Sequence, residues 1–242
     1  MRALVLCAGF GSRLGALTEA VPKPLLQAGG RPLLFWILDE LRRAGVDEVL
    51  INIHFHGNAI REATGDGAAF GLRIQYVDEE MLLGTAGTVA KNRAFLCAKG
   101  PFLLHYGDVV HSGDLPGLVA HHLAHSPLAT LALHQRARSS NSHVDLSPEG
   151  RITSFHERPD EQTRATLGSG LVFSGIATIA PALVDKIPPP PCDLPRDVFA
   201  KLAASGALHG RLLGGFRVAV DSPERLAELD RHLSAQIGNG KR

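Results

Sequence analysis

The sequence is short of cysteine, of net charge and of long apolar runs, and each shortage argues against a class of protein. Cys7, Cys97 and Cys192 lie far apart and form no CxxC pair, so we expect neither a disulfide framework nor a thiolate zinc site. The 25 lysines and arginines against 24 acidic residues leave a net charge of +1, which gives no general attraction to nucleic acid or to an anionic membrane. Any anionic ligand must therefore be held by a local site.

Targeting and membrane segments are not expected either. The apolar run in MRALVLCAG is too short for a signal peptide and breaks at glycine. No other apolar stretch approaches the roughly 20 residues that cross a bilayer. Together with the few cysteines, this predicts a cytoplasmic protein without a membrane partner. The 242 residues suit a single α/β domain over 1–236, followed by a tail at 237–242.

Short apolar runs alternate with helical patterns through the first part of the chain. Ala3–Cys7 is typical of a buried strand and is followed by a glycine loop, while Pro32–Ala44 has helical spacing of apolar residues and ends at Gly45. The alternation predicts a doubly wound, mostly parallel sheet. Further predicted elements here are the strands Glu48–Ile53, Leu72–Val77 and Pro101–His105 and the helices Ala59–Thr64 and Thr85–Phe95.

The later part of the chain predicts antiparallel strands and loops. The turn residues Pro148-Glu149-Gly150 separate two short runs, His143–Leu146 and Ile152–Phe155, which predicts a hairpin. The proline run in Ile187–Pro195 predicts a surface loop. The remaining predictions are the strands Ala129–Gln135, Leu171–Ile179 and Phe216–Val220 and the helices Val198–Ala204 and Pro223–Gln236.

The glycine loop after the first strand is a candidate phosphate site. Gly9 and Gly11 allow backbone N–H groups to approach a phosphate closely, although a tight strand–helix turn explains two glycines equally well. A dinucleotide fingerprint would need a third glycine where Leu14 stands, and no Walker lysine–serine pair follows. Arg13 and Lys23 add two cations beside the loop, as a triphosphate requires.

Several motifs together resemble the signature of sugar-1-phosphate nucleotidyltransferases. They are LCAGFGSRL, VPKPLL and GGRPLL near the start, followed in order by LGTAG, GD, FHERP and VDSPE. The family includes guanylyl-, thymidylyl- and uridylyltransferases that act on sugar 1-phosphates. The resemblance implies a Rossmann-like fold with a small sugar-binding lobe. It also implies a nucleotide-binding half over about 1–110 and a sugar-phosphate half over about 111–236.

The same resemblance implies roles for individual residues. Arg13 would clamp the β- and γ-phosphates and Lys23 would contact the α-phosphate, while Asp108 and Asp221 would share one Mg²⁺. The remaining nucleotide contacts are expected at Ala8, Gly9, Gly11, Ser12, Glu80, Gly84 and Thr85, and the sugar-phosphate contacts at Glu157, Arg158, His143 and Ser174.

Ordinary structural roles compete with these assignments. Asp108 follows a strand at the carboxyl edge of the sheet, where a carboxylate suits Mg²⁺ but also serves as a turn residue. Asp221 precedes Ser-Pro-Glu, so it can cap a helix as well as bind metal. Glu157 and Arg158 together are also typical of a surface salt bridge.

Two histidine pairs have spacings that can bind metal. His54 and His56 would share a strand face, and His121 and His125 a helix face. Because the sequence shows no third ligand for either pair, solvated surface positions are favoured.

The sequence therefore predicts an enzyme that joins an NTP to a sugar 1-phosphate, with Mg²⁺, as a monomer or small homo-oligomer. Departures from the family pattern at Ala16, Leu82, Tyr106, His143 and Ser222 leave the base and the sugar open. One alternative is a cytidylyltransferase for an alcohol phosphate or phosphonate. A non-catalytic NDP-sugar sensor would be expected to lose one of the four predicted catalytic charges. A glycosyltransferase would show Asp-x-Asp where this chain has GDVV.

Overall fold

A computed structural model describes residues 1–9, 11–135, 142–167 and 170–239, apart from the side chains of Ser12 and of residues 237–239. The strands are β1 Arg2–Leu6, β2 Gln27–Ala28, β3 Arg31–Pro32, β4 Glu48–Ile53, β5 Arg73–Asp78, β6 Phe102–Tyr106, β7 Val109–His111, β8 Ala129–Gln135, β9 Ser142–Leu146, β10 Ile152–Glu157, β11 Leu171–Ile179, β12 Leu208–Leu212 and β13 Arg217–Ala219. The α-helices are α1 Leu33–Arg43, α2 Gly57–Thr64, α3 Gly84–Lys91, α4 Arg93–Leu96, α5 Leu115–His125, α6 Glu161–Thr166, α7 Pro181–Val184, α8 Ala200–Leu202 and α9 Pro223–Asn239.

The chain forms two compact units, each assembled from separate segments. The phosphate-loop unit contains Arg2–Leu82, His105–Gly113 and the described residues from Gly215 onward. The hairpin unit contains Leu83–Leu104 and the described residues of Asp114–Gly214, together with Met1. Both units thus combine early and late parts of the chain. The predicted halves, about 1–110 and about 111–236, stay a prediction.

The phosphate-loop unit is built on parallel strands. β1 pairs with β4 and β4 pairs with β5, both in parallel. Ala3, Leu4 and Val5 in β1 have no exposed surface, because strands of a parallel sheet are covered on both faces and need continuous apolar runs. The first predicted strand is therefore confirmed, one residue earlier than expected.

A short antiparallel pair and the last helix complete this unit. β7 pairs with β13 in the register His111 with Arg217 and Val109 with Ala219; β7 was not predicted. α9 continues to Asn239, three residues beyond its predicted end. Apolar side chains from the segment after the glycine loop, β2, α1, β7, the end of β13 and α9 share one buried cluster: Leu14, Leu26, Ala28, Leu33, Val110, Val218, Val220, Leu229 and Leu233.

The hairpin unit is mainly antiparallel. β9 and β10 pair from Leu146 with Ile152 to Ser142 with Glu157, which confirms the predicted hairpin. β11 runs antiparallel to β8, whereas β12 lies parallel to β8. Neither β12 nor α6 was predicted from the sequence.

The predicted surface loop at Ile187–Pro195 is too long at its C-terminal end. Leu194 and Pro195 are buried and begin a π-helix over Leu194–Phe199. Proline is compatible with a first helical turn, where its missing N–H would have no helical partner. The proline run therefore ends in a helix start rather than in exposed loop.

Two buried histidines flank Asp108 in the phosphate-loop unit. The rings of His105 and His111 stack with centroids 5.6 Å apart. His105 Nδ1 donates to the carbonyl of Tyr106 at 2.8 Å, and His111 Nδ1 accepts from the N–H of Gly113 at 3.0 Å. Neither Nε2 atom finds a hydrogen-bond partner among the described residues. Burial lowers the pKa of His105 to about 4 and the pKa of His111 to about 3.

We expect the free energy of unfolding to fall as the pH is lowered from about 6.5 to about 4. The unfolded chain binds protons on these histidines near pH 6.5, whereas the folded protein keeps them neutral, so protonation favours the unfolded state in this window. Each histidine contributes up to about 1.4 kcal/mol per pH unit to the slope of the free energy of unfolding against pH. Urea unfolding across the pH series should show a shallower slope for His111→Gln. The exposed His232→Gln is the matched control, and an unchanged slope for His111→Gln would contradict the explanation.

Candidate active site

Gly11 closes the glycine loop. It adopts a left-handed conformation with φ 67°, and its carbonyl accepts from Leu14 N at 2.9 Å and from Thr18 Oγ1 at 3.2 Å. A Cβ added here would lie 3.1 Å from Thr18 Cγ2 and 3.4 Å from Lys23 Cβ. Conformation and space therefore both favour glycine. The side chain of Ser12, a predicted nucleotide contact, lies outside the described residues.

The other predicted residues of this loop differ in exposure. Ala8 is 5% exposed, whereas Gly9 is exposed and an added Cβ would meet nothing within 4 Å. Glu80, predicted to bind nucleotide, is also exposed. Their roles in binding stay predictions.

Two consecutive buried hydrogen bonds hold the start of the glycine loop in place. The N–H of Cys7 donates to Asn52 Oδ1 at 2.8 Å, and Asn52 Nδ2 donates to Glu79 Oε1 at 2.9 Å. Asn52 and Glu79 are each 3% exposed. Sequence reasoning missed these hydrogen bonds, although an asparagine within the apolar run VLINI is a signal, because buried polar groups need partners.

Lys23 and Asp108 form the first ion pair of the site. Lys23 Nζ lies 2.5 Å from Asp108 Oδ2, with side chains 14% and 29% exposed. Gly107 sets the path of the chain just before Asp108: its N–H donates to Leu6 O at 2.9 Å, and a Cβ there would lie only 2.7 Å from Cys7 Sγ. The end of β6 thus presses against the end of β1, directly before the carboxylate.

Arg13 and Asp221 form the second ion pair. Arg13 NH1 lies 3.3 Å from Asp221 Oδ2, with side chains 70% and 34% exposed. Ser222, not Asp221, caps α9, since Ser222 Oγ accepts from the N–H of Arg225 at 3.3 Å. The helix-cap alternative for Asp221 is therefore wrong.

Strand pairing brings the two aspartate segments together. Beyond the paired residues of β7 and β13, the N–H of Val220 donates to the carbonyl of Asp108 at 2.8 Å, and Asp221 follows directly. Two carboxylates at adjoining backbone positions offer the hard oxygen donors that Mg²⁺ prefers. Lys23 pairs with Asp108 and Arg13 with Asp221. These two cations offset the repulsion between the carboxylates. The residues present fit the predicted metal, and its binding here stays a prediction.

In the hairpin unit, the predicted nucleotide contact Thr85 is held by Asp193. The N–H and hydroxyl of Thr85 donate to Asp193 Oδ1 at 3.1 and 3.3 Å, and Leu194 N donates to Thr85 Oγ1 at 2.7 Å. Gly84 has φ 75°, and a Cβ there would lie 2.3 Å from the carbonyl oxygen of Cys192, so this turn accepts only glycine. The sequence did not single out Asp193.

Glu157, the last residue of β10, has a half-buried carboxyl group. Its side chain is 20% exposed and lies 3.6 Å from Arg158 Nε, whose own side chain is 73% exposed. Burial raises the pKa of Glu157 to about 7; Asp193 adds to the rise, while Arg158 and Arg196 oppose it. A carboxyl group with this pKa changes charge near neutral pH.

The two other predicted sugar-phosphate contacts are buried. His143 Nε2 lies 3.1 Å from Asp145 Oδ1, and the His143 side chain is 10% exposed. Ser174 has no exposed surface, and its Oγ lies 3.1 Å from His134 Nδ1. Both residues have side-chain partners within the hairpin unit, and their contact with substrate stays a prediction.

Known proteins share both the sequence and the fold. The nucleotidyl transferase family model matches residues 2–186. An N-acetylmuramate alpha-1-phosphate uridylyltransferase from Neisseria meningitidis is 36% identical over 190 residues, which cover 77% of this chain and 78% of that protein. A mannose-1-phosphate guanylyltransferase catalytic subunit beta from Xenopus tropicalis is 29% identical over 228 residues, or 93% of this chain and 62% of that protein. The crystal structure of UDP-glucose pyrophosphorylase with UDP-glucose superposes with a TM-score of 0.81 at 16% identity, covering 97% of this chain and 98% of that one.

The chain belongs to the nucleotidyl transferase family. The predicted family, the enzyme class and the Rossmann-like fold with a mixed sheet are confirmed. The chain spans 62% of the length of the guanylyltransferase relative. Within the described residues, no helix combines the length and the apolar character needed to cross a membrane.

Proposed function

We propose that this chain transfers a nucleotidyl group from an NTP to a sugar 1-phosphate, giving an NDP-sugar and pyrophosphate. The observation that carries the proposal is the junction of the Asp108 and Asp221 segments through the Val220–Asp108 backbone bond. Lys23 and Arg13 each face one of the two carboxylates. Two carboxylates for a divalent cation and two cations for phosphates are what a reaction between two anions needs.

The chemistry is an in-line displacement at the α-phosphorus. An oxygen of the sugar phosphate forms a bond to the α-phosphorus, and the bond from that phosphorus to the oxygen bridging the β-phosphate breaks. The departing pyrophosphate carries away the electron pair. Lys23 neutralises charge at the α-phosphate and Arg13 on the pyrophosphate, each exchanging its aspartate for a phosphate oxygen. Asp108 and Asp221 would hold Mg²⁺, which supplies further charge neutralisation when bound.

In the hairpin unit, the proposal assigns Glu157 to the sugar hydroxyls, since a carboxylate accepts two hydrogen bonds. Arg158 is assigned to the sugar phosphate, and Gly84 and Thr85 to the nucleotide. Asp193 is a positioning residue that fixes the Thr85 hydroxyl.

Pyrophosphate release from a matrix of NTPs and sugar 1-phosphates tests the proposal. UTP with N-acetylmuramate 1-phosphate and GTP with mannose 1-phosphate come first, since the named relatives act on these sugar phosphates. We expect one pair to dominate, the NDP-sugar to appear by mass, and EDTA to stop the reaction until Mg²⁺ is restored. A preference for CTP with an alcohol phosphate would favour the cytidylyltransferase alternative. NDP-sugar binding without turnover on any pair would favour the sensing subunit.

A cytoplasmic monomer or small homo-oligomer is part of the same proposal. Cys7, Cys97 and Cys192 are all free thiols, which supports a reducing compartment.

The KM for the sugar phosphate is expected to rise as the pH falls below about 7. Burial raises the pKa of Glu157 to about 7, so lower pH converts the acceptor to the neutral acid and weakens its hydrogen bonds to hydroxyls. Glu157→Gln should give a high KM that no longer changes with pH in this range. The loss of roughly 1.5–3 kcal/mol corresponds to about a 10- to 150-fold rise in KM.

Two controls accompany this measurement. The KM for the NTP should change much less, and Glu149→Gln, in the exposed turn of the same hairpin, should leave both constants unchanged. Equal effects of Glu157→Gln on both substrates would contradict a specific sugar role.

A further inference from the structure

Three histidines of the hairpin unit meet at one point. His121 and His125 are four residues apart at the C-terminal end of α5 and therefore share a face of that helix. His209 lies in β12. One ligand nitrogen from each histidine lies within 4.8 Å of the others. The sequence suggested no third ligand for His121 and His125, and the fold supplies one.

The distances suit one metal ion. His121 Nε2 and His209 Nδ1 are 3.2 Å apart, and two nitrogens bound to one tetrahedral zinc at about 2.0–2.1 Å lie roughly 3.3 Å apart. The ring centroid of His125 lies 4.2 Å from that of His121 and 5.3 Å from that of His209. His125 is exposed, so solvent can reach the cluster from that side.

The third histidine already has the support that metal ligands commonly have. His125 Nδ1–H donates to the backbone carbonyl of His121 at 2.9 Å. This bond fixes the tautomer and leaves Nε2 with its lone pair available, the usual arrangement for a metal-bound imidazole.

The donor atoms select the kind of ion. Among the described residues, the group that can hold the ion consists of three histidines without a carboxylate. Hard cations such as Mg²⁺ and Ca²⁺ prefer oxygen ligands, whereas imidazole suits zinc and its neighbours. Three imidazole nitrogens without a carboxylate thus favour zinc over Mg²⁺.

We propose that His121, His125 and His209 bind one borderline divalent transition-metal ion, Zn²⁺ foremost, with solvent in the fourth position. The ion joins the last turn of α5 to β12, so its binding stabilises the hairpin unit. The backbone of Arg151 pairs with that of His209 in an isolated antiparallel β-bridge. Arg151 directly precedes β10, which ends at Glu157. Six residues of strand span roughly 20 Å, so this ion does not contact the proposed sugar-binding carboxylate.

Metal binding to the tag-free, chelator-treated protein tests the proposal. Calorimetry with Zn²⁺ should show one saturable site per chain, and Co²⁺ should give the intense visible bands of tetrahedral coordination. Zn²⁺ should raise the melting temperature by several degrees, and excess Mg²⁺ should not compete. His125→Gln removes an exposed ligand without disturbing the core and should weaken Zn²⁺ binding at least about 10-fold. His209→Gln should do the same.

Two controls separate this site from others. The His54→Gln/His56→Gln double variant removes the other histidine pair and should bind Zn²⁺ as the parent protein does. Asp221→Asn should also keep one zinc per chain, which separates the result from the proposed Mg²⁺ site. The proposal is overturned if no one-to-one binding occurs, or if His125→Gln binds Zn²⁺ as tightly as the parent protein.

Discussion

Asp221→Asn is expected to lower turnover about a thousand-fold while leaving the fold intact. The substitution keeps the shape of the side chain and removes one of the two charges proposed to hold Mg²⁺, and metal-based charge stabilisation contributes several kcal/mol. Asp221 is 34% exposed and its ion-pair partner Arg13 is 70% exposed, so the pair adds at most about 1 kcal/mol to stability. Pyrophosphate release measures the first effect and thermal unfolding the second.

Asp39→Asn is the matched control. Asp39 lies in the same unit, is 36% exposed and pairs with Arg31 at 2.8 Å, so it loses an equivalent surface ion pair. Its turnover should remain at the parent level. Parent-level turnover in Asp221→Asn at limiting Mg²⁺ would contradict the metal role.

Arg13→Ala is expected to lower turnover about 100- to 1,000-fold, the usual effect of removing one preorganised group that stabilises transition-state charge. Arg13 makes a single described ion pair, at 3.3 Å, from a highly exposed position. Its loss should shift the free energy of unfolding by less than about 1 kcal/mol. Single-turnover measurements with saturating NTP would place the defect in the chemical step.

Two further variants sharpen this test. Arg31→Ala removes a comparable arginine from the same unit and should leave turnover unchanged. Arg13→Lys keeps the charge and loses the planar fork, so partial recovery would show that charge dominates over bidentate geometry. An Arg13→Ala protein that unfolds, or that turns over normally, would rule out the phosphate-clamp role.

Local pattern was enough to predict much of the fold. The strands Glu48–Ile53, Ala129–Gln135 and Leu171–Ile179 match the prediction residue for residue, because their apolar runs are long and bounded by turn residues. β7 was missed because three residues after Gly-Asp are too few to show a period, and its partner β13 lies over 100 residues away. Such pairing is decided by tertiary packing, here by the cluster that includes Val110 and Val218.

The candidate site shows the same division. Arg13, Lys23, Asp108 and Asp221 could be named because they belong to contiguous motifs. Their ion pairs could not, because each joins distant segments. Asp193 and His209 were missed for the same reason. Asp193 follows a run of prolines and His209 stands in an unpredicted strand, so local sequence does not connect them with Thr85 or with His121.

The interleaved segments of the phosphate-loop unit also set the order in which its charges appear during synthesis. Lys23 emerges from the ribosome early and can pair with Asp108 as soon as β6 and β7 have followed. Asp221 comes roughly 110 residues later, which takes about 5–20 s at ordinary translation rates. Through that interval β7 lacks β13, its antiparallel partner, and Arg13 lacks its carboxylate. A nascent chain that has not yet reached Asp221, or one cut short before β13, therefore never holds all four charges together.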